Sequence, residues 1–265
     1  MIDYLSKFSI KGKTVFVLGG SGLIGAEVSK ALASAGALVV VIDVDKEKGY
    51  KLVKEISDCK YNAYFEYLDL TKLDQLEQNI DNLLDKYNSE LDIFINVSYP
   101  KTKDWGNDID NLTLDSWRKN IDIHLNTYSW ISRKIALFMR DHKRKGTIIN
   151  FGSIYGVKGN DFNLYEGTEI NPAMAYSAIK GGIINLTRYL ASFFGKYGIR
   201  INNICPGGVF DNQNKNFIKK YNKKVPLKRM ATSEEIASVV LFLSSEAASY
   251  INGATIMVDG GWTAI

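Results

Sequence analysis

Two residues with complementary acid–base chemistry lie one helical turn apart in the second half of the chain. Tyr176 and Lys180 enclose three residues in a segment of helical period, and positions i and i+4 of a helix lie on one face. A nearby ammonium favours the phenolate and lowers the pKa of a tyrosine from about 10 towards neutrality. The spacing therefore predicts that Tyr176 acts as a general acid or base.

A glycine-rich loop near the start of the chain has the pattern of a phosphate-binding turn. Its three glycines follow an apolar run and precede a segment of helical period. Glycine permits a tight turn and a close backbone approach to a pyrophosphate, and the N–H groups at the start of the next helix bind the phosphates. The predicted dinucleotide-binding loop consists of Gly19, Ser21, Gly22, Leu23, Ile24 and Gly25.

An acidic residue ends the second apolar run. Asp43 lies 18 residues after Gly25, and a carboxylate at this place accepts hydrogen bonds from the adenosine ribose and repels a 2′-phosphate. The glycine loop contains neither Lys nor Arg, and Asp43 is followed by Val44 and Asp45 and not by a base. These observations favour NAD(H) over NADP(H).

Short strands and helices must hold these residues at one edge of a sheet. Apolar runs alternate with segments of helical period, and the first of these segments predicts a helix over 23–35. The apolar runs are continuous, which indicates strands covered on both faces, and their alternation with helices implies a parallel sheet. The strands are predicted at 14–18, 38–42, 63–68, 91–95, 146–150, 199–204 and 254–258. We expect one doubly wound α/β domain over residues 1–265.

The composition narrows the class of protein. Lys and Arg number 33 against 29 Asp and Glu, a net charge of +4 that is too small to indicate a nucleic-acid partner. Cys59 and Cys205 show no metal or redox spacing, and no apolar run reaches the roughly 18 residues of a membrane span. Residues 1–7 lack the apolar run of a signal peptide. We therefore expect a cytoplasmic protein without a metal, nucleic-acid or membrane partner.

The chain resembles the short-chain dehydrogenase/reductase family through motifs that occur in the family's order. Asn96 resembles the first residue of the family's Asn-Asn-Ala-Gly motif, and Ser153 lies where the catalytic Ser belongs. Tyr176 and Lys180 match the family's signature pair. The other matching segments are the glycine loop, Asp69-Leu70, Pro206-Gly207 and the C-terminal run over 226–262. The chain is thus identified as a member of this family, with a single Rossmann domain of seven parallel strands.

The resemblance implies a reaction and a cofactor, NAD(H). Tyr176 would exchange a proton with the substrate oxygen of a secondary alcohol or ketone while hydride moves to or from C4 of the nicotinamide. Ser153 would hold that oxygen, and Lys180 would bind the nicotinamide ribose and tune Tyr176. His124 aligns with the family's catalytic Asn. The cofactor-binding residues implied beyond the glycine loop and Asp43 are Asp69, Leu70, Asn96, Tyr176, Lys180, Pro206, Gly207 and Val209.

The resemblance also implies a lid over the substrate at 208–228. Its stretch 210–224 contains five lysines and one acidic residue, and a lid of net positive charge favours an anionic substrate. These charged residues are Asp211, Lys215, Lys219, Lys220, Lys223 and Lys224. The 22 residues between Ser153 and Tyr176 exceed the number common in relatives and predict a polar wall for hydroxyl groups. The stretches 164–168 and 171–172 resemble bacterial oxidoreductases of surface-sugar and flagellin modification, so we expect a polar, sugar-like substrate.

Four departures from the family pattern bear on the site, and one of them is Asp211, which lies where a Thr that contacts the cofactor is usual. The glycine spacing is typical of the longer epimerase and dehydratase branch. Val97, Ser98 and Tyr99 follow Asn96 in place of Asn-Ala-Gly, which we expect to crowd the cofactor side of the pocket. His124 replaces an Asn, and two roles stay open for it. Its ring can fill the space of the Asn. Alternatively, His124 can shuttle protons, which an unperturbed pKa of about 6.5 permits.

Two alternatives to a dehydrogenase follow from these departures. The glycine spacing permits a sugar epimerase or dehydratase, although too few residues follow Ile199 for the larger substrate domain of such enzymes. His124 and the altered segment after Asn96 permit a non-catalytic dinucleotide sensor, although the Ser, Tyr and Lys of the family are intact. Family relatives pair the helices that correspond to 116–140 and 176–194, so we expect a homotetramer, or at least a dimer.

Overall fold

The seven predicted strands form one parallel sheet in the computed structural model, which describes residues 2–87 and 90–265. The strands are β1 Thr14–Leu18, β2 Leu38–Asp43, β3 Ala63–Tyr67, β4 Ile93–Asn96, β5 Gly146–Phe151, β6 Ile199–Pro206 and β7 Thr255–Val258. They lie in the order β3-β2-β1-β4-β5-β6-β7. The strand order reverses between β1 and β4, and ligands of open α/β sheets bind in the crevice at the carboxyl ends of the strands beside such a point.

Helices cover both faces of this sheet. They are α1 Leu23–Ser34, α2 Lys46–Asp58, α3 Leu76–Lys86, α4 Leu114–Asn120, α5 Thr127–Asp141, α6 Met174–Phe194, α7 Lys215–Lys224 and α8 Ser233–Ser244. A π-helical turn at Ile121–Asn126 joins α4 to α5. Residues 199–265 contribute β6, β7, α7 and α8 to the same sheet and its cover, as a single doubly wound domain requires.

The alternate residues of β1 show how the two halves of the core are divided. Val15 and Val17 belong to a buried cluster that contains residues of α1 and α8. Phe16 and Leu18 point to the other face and belong to a second cluster, with residues of α3, α5 and α6. All four side chains are at most 2% exposed. The prediction of strands covered on both faces is confirmed.

The predicted bounds differ from the observed ones by a few residues at strand and helix ends. The first helix ends at Ser34 and not at position 35, because Gly36 adopts a φ of 91°, a left-handed conformation that ends a helix readily. The fourth strand begins at Ile93 instead of position 91, and the sixth continues to Pro206. Among residues 2–87 and 90–265, no helix is long and apolar enough to cross a membrane.

Candidate active site

The glycine loop connects β1 to α1 and is packed too tightly for larger residues. Gly19 has a φ of 78°, and its N–H donates to the carbonyl of Ile42 at 2.8 Å. A Cβ atom at Gly19 would lie 2.6 Å from Cα of Ser98, and one at Gly25 would lie 2.0 Å from the carbonyl oxygen of Gly19. The loop therefore needs glycine for both its turn and its contact with α1.

Asp43, at the end of β2, fixes the conformation of this loop. One carboxylate oxygen accepts the N–H of Ser21 at 3.0 Å. The other accepts the N–H groups of Val44 at 2.8 Å and Asp45 at 3.2 Å. The carboxylate thus joins two segments that line the site. This structural role is not visible in the sequence, because the N–H of Ser21 and the carboxylate of Asp43 come together only once β2 lies beside β1.

A cleft of about 950 Å³ runs across the carboxyl ends of the central strands. Most of the predicted site residues line it, and the structure therefore brings the proposed cofactor loop and catalytic residues into one space. They are Gly19, Gly22, Leu23, Ile24, Gly25, Asp43, Asp69, Leu70, Ser153, Tyr176, Lys180, Pro206, Gly207 and Val209. Three predicted residues, Ser21, Asn96 and His124, are buried and do not line the cleft.

Several lining residues are absent from the sequence prediction. Thr71 lies beside the predicted Asp69, whose carboxylate accepts the N–H of Thr71 at 2.9 Å. Lys48 lies one turn into α2 and forms an ion pair with Asp45 at 3.1 Å. The others include Pro100, Lys101 and Gln213. Pro100 and Lys101 could have been found, since they directly follow Val97, Ser98 and Tyr99, which were expected at the pocket and line the cleft.

Asn96 supports the turn after β4 from within the core. Its side-chain oxygen accepts the hydroxyl of Ser98 at 2.7 Å. The phenol of Tyr128 donates to the carbonyls of Asn96 at 2.8 Å and Ser98 at 3.1 Å. Asn96 is fully buried, and its side-chain nitrogen has no hydrogen-bond partner among the described residues. The side chain of Asn96 therefore holds the turn at Ser98, which lines the cleft.

Ser153, which follows β5, and Tyr176 and Lys180 of α6 together line one part of the cleft wall. Nζ of Lys180 lies 5.6 Å from the centre of the Tyr176 ring and donates to the carbonyl of Phe151 at 2.8 Å. Lys180 is 3% exposed, and burial lowers its pKa from 10.5 to about 7. Burial penalises the ammonium, which is therefore a weak source of positive charge near neutral pH.

The pKa of Tyr176 is raised and not lowered. Burial is the main cause, and the neighbouring Ser153 hydroxyl opposes it. The sequence-based prediction of a Tyr176 pKa lowered towards neutrality is wrong, because the desolvation of the phenolate outweighs the stabilisation by the Ser153 hydroxyl. The same geometry places the phenol beside Ser153 in the cleft, where a substrate oxygen can reach both groups.

His124 lies in the π-helical turn and is fully buried. Its ring packs against Tyr99, with centroids 5.5 Å apart and planes at 85°, and against Tyr128 at 5.4 Å. Neither ring nitrogen has a hydrogen-bond partner among the described residues. Burial, followed by the charge of Lys180, lowers the pKa of His124 well below its usual value. The ring is therefore neutral near pH 7, which favours the space-filling role over the proton shuttle.

The segment 208–228 contains α7 and is attached to the residues between Ser153 and Tyr176. Lys220 donates to the carbonyls of Asn163 at 2.7 Å and Glu166 at 2.8 Å, and Lys224 pairs with the carboxylate of Asp161. None of the six lysines of this segment lines the cleft described above. Two of the lysines that were expected to attract an anionic substrate, Lys220 and Lys224, instead attach α7 to the segment 161–166.

The chain matches the family model described as Enoyl-(Acyl carrier protein) reductase over residues 21–263. Together with this match, the parallel sheet, the glycine loop and the Ser-Tyr-Lys arrangement define a class of protein. The chain belongs to the short-chain dehydrogenase/reductase family. Relatives of this chain in the family include dehydrogenases of hydroxysteroids, galactitol and butanediol. The family assignment therefore indicates an oxidoreductase that acts on alcohols or ketones.

Two curated relatives match over nearly their full length. Post-translational flagellin modification protein A from Campylobacter coli is 32% identical over 96% of this chain and 99% of the relative. Galactitol 2-dehydrogenase from Rhizobium johnstonii is 31% identical over 99% of both chains.

Two solved structures show both forms of the cofactor on this fold. A short-chain dehydrogenase from Leptospira borgpetersenii with bound NAD+ has a TM-score of 0.81 and 31% identity, over 99% of this chain and 97% of that chain. A gluconate 5-dehydrogenase from Burkholderia cenocepacia in complex with NADP and tartrate has a TM-score of 0.86, over 99% of this chain and 100% of that chain. At 24% identity, the second shows the likeness of fold alone.

Proposed function

We propose that this protein is an NAD(H)-dependent oxidoreductase that interconverts a secondary alcohol and a ketone on a polar, sugar-like substrate. One observation carries the proposal. Ser153, Tyr176 and Lys180 line the same cleft as the glycine loop, with Lys180 beside the Tyr176 ring. In this arrangement, a substrate oxygen beside Ser153 and Tyr176 shares the cleft with a dinucleotide on the glycine loop.

Each of the three residues has a distinct task in the proposed reaction. The nicotinamide, when bound, supplies or accepts a hydride at C4. The Tyr176 phenol donates a proton to the ketone oxygen, or accepts one from the alcohol, as a general acid or base. The Ser153 hydroxyl orients that oxygen. Lys180 is buried against the carbonyl of Phe151 and would bind the nicotinamide ribose.

The preference for NAD(H) rests on the charge at the end of β2. Asp43 and Asp45 provide two carboxylates there, and Lys48 is paired with Asp45. A 2′-phosphate in this part of the cleft would meet the charge of Asp43, whereas a ribose hydroxyl can donate to it. The remaining cofactor contacts are assigned to the glycine loop, Asp69 and Leu70 at the adenine end, and residues 206–209 at the nicotinamide end.

The polar character of the substrate is supported by two relatives. A relative that is a galactitol 2-dehydrogenase and one that is a flagellin modification protein both match this chain throughout. If the substrate carries an anionic group, Lys101 binds it in preference to the lysines of the lid at 208–228. Lys101 lines the cleft, and no carboxylate forms an ion pair with it in the described part of the chain.

The proposed assembly is a homotetramer or a dimer in the cytoplasm. Helices α5 and α6 expose large apolar side chains, including Trp130 at 46%, Tyr189 at 70% and Phe193 at 46%. Pairing these helices between subunits would cover them. The two free cysteines, one exposed and one buried, fit a reducing compartment.

A turnover screen tests the proposed function. Purified protein is mixed with NAD+ or NADP+ and a panel of polyols, cyclitols, phosphorylated sugars and nucleotide-linked sugars, and the reduced nicotinamide is followed by absorbance. We expect reduction of NAD+ by at least one polyhydroxylated secondary alcohol. The protein could instead bind the dinucleotide but turn over no alcohol, and no matching ketone with NADH. That result would favour a non-catalytic dinucleotide sensor and would contradict the proposed enzymatic function.

A further inference from the structure

Tyr99 is the large side chain nearest to the proposed catalytic centre that the family resemblance does not account for. It stands where the Asn-Ala-Gly motif would leave no side chain, and it lines the cleft with 46% of its surface exposed. Its ring lies 5.7 Å from that of Tyr176, with the two planes at 85°. A flat aromatic surface therefore stands directly beside the phenol that is to exchange a proton with the substrate.

Two further aromatic side chains pack against the Tyr99 ring. Trp105 packs against it edge to face at 5.8 Å and 89°, and His124 does so at 5.5 Å and 85°. Trp105 also contacts Tyr176 at 6.2 Å and 90°. Such edge-to-face arrangements are the favoured geometry of aromatic pairs. The buried neutral His124 thus acts as one support of a rigid wall and requires no proton of its own.

A polar group completes the wall. Nζ of Lys101 lies 5.5 Å from the centre of the Tyr99 ring, and Pro100 restricts the backbone between the two residues. An aromatic face beside polar groups is complementary to a cyclic sugar. The C–H groups on one side of a sugar ring pack on the aromatic surface, and the hydroxyl groups at its rim form hydrogen bonds. An extended polyol presents no comparable flat apolar side.

We infer that Tyr99 is a specificity-determining residue that selects a cyclic sugar or cyclitol over an open-chain polyol. The inference rests on the proposed function, since it assigns the substrate class of the same site. The ring carbon that bears the reacting hydroxyl lies at Tyr176, and the apolar side of the ring packs on Tyr99. Recognition here adds binding energy to both the ground state and the transition state, so it acts on KM and leaves kcat nearly unchanged.

The test compares wild type with Tyr99→Leu and Tyr99→Phe on two matched substrates, a cyclitol and an open-chain hexitol. Tyr99→Leu keeps an apolar residue of moderate size but removes the aromatic surface. It should raise KM for the cyclitol by about three- to tenfold, the range expected for loss of an aromatic contact, with kcat within about twofold. The KM for the hexitol should change by less than about twofold. Tyr99→Phe keeps the ring and should resemble wild type on both substrates.

Two controls separate this inference from the proposed function and from a cofactor effect. Tyr61→Leu changes an exposed tyrosine outside the cleft lining and should leave both KM values unchanged. The Kd of NADH, measured by fluorescence, should be the same in wild type and Tyr99→Leu. Wild type that turns over neither substrate nor any other alcohol would refute the proposed function. Three results would overturn the assignment of Tyr99 and leave the proposed function intact. They are a wild type that prefers the hexitol, equal changes of KM on both substrates in Tyr99→Leu, and a change confined to the Kd of NADH.

Discussion

Replacing Lys180 by Met should make the protein more stable at neutral pH, although the change removes a residue of the proposed active site. Burial lowers the pKa of this lysine from 10.5 to about 7 in the folded protein. The unfolded chain keeps the ordinary pKa. Between about pH 7 and 10.5 the unfolded state therefore binds one more proton, and the unfolding free energy of wild type rises with pH across this window.

The size of the effect follows from the two pKa values. Each pKa unit corresponds to about 1.4 kcal/mol, so the charged lysine destabilises the folded state by about 5 kcal/mol below pH 7. Met retains the aliphatic length of the side chain and removes this penalty. The lost hydrogen bond to the carbonyl of Phe151 offsets the gain by about 1–3 kcal/mol at every pH. The advantage of Lys180→Met should be largest near pH 7 and should shrink by about 5 kcal/mol towards pH 10.5.

Urea unfolding of wild type and Lys180→Met at several pH values measures this advantage directly. Subtraction of the two free energies cancels the other titrating groups, and a start above about pH 7 avoids the titration of His124 in the unfolded chain. Lys219→Met is the matched control, since it makes the same substitution at an exposed position of α7. A flat difference for Lys180→Met would show that Lys180 remains protonated in the fold and would refute the reasoning.

Three further predictions concern the cofactor, His124 and the assembly. Asp43→Ala combined with Val44→Arg should shift the ratio of kcat/KM values from NAD(H) towards NADP(H), because it removes a repulsive carboxylate and adds a phosphate partner; an unchanged ratio would place ribose recognition elsewhere. His124→Asn should keep kcat within about threefold with the same pH profile, since the neutral ring fills space; loss of a limb near neutrality would indicate a proton shuttle. Light scattering at micromolar concentration should give a tetramer or dimer mass, and a monomer would contradict the pairing of α5 and α6.

The sequence was sufficient for the fold because its signals are local. The continuous Val and Ile runs of β1 and β2 identify buried strands, and Gly19 and Gly25 identify the turn between β1 and α1. The parallel sheet and single domain followed from the alternation of strands and helices. The ends of elements were less predictable, because a helix or strand ends where hydrogen bonding and packing across the chain end, as at Ile93 and Pro206.

The sequence predicted which residues line the cleft, but it did not predict the hydrogen bonds and pKa shifts that arise between residues distant in the chain. Asp43 was expected to face a ribose, but its bond to the N–H of Ser21 depends on the approach of β2 to the loop. The raised pKa of Tyr176 depends on burial that no spacing reveals. Lys220 was expected over the substrate, and instead it holds α7 to the segment 163–166. These contacts join residues far apart in the chain.

The most direct test of the account is the comparison of wild type with Tyr176→Phe on the best alcohol from the screen. The variant lacks only the hydroxyl that exchanges the proton, so the loss should fall on kcat, which should drop below about a tenth of the wild-type value. The Kd of NADH should stay within a few-fold, because the ring and its packing against Tyr99 remain. A variant that keeps more than about a tenth of wild-type kcat would show that Tyr176 is not the general acid or base, and the proposed mechanism would be wrong.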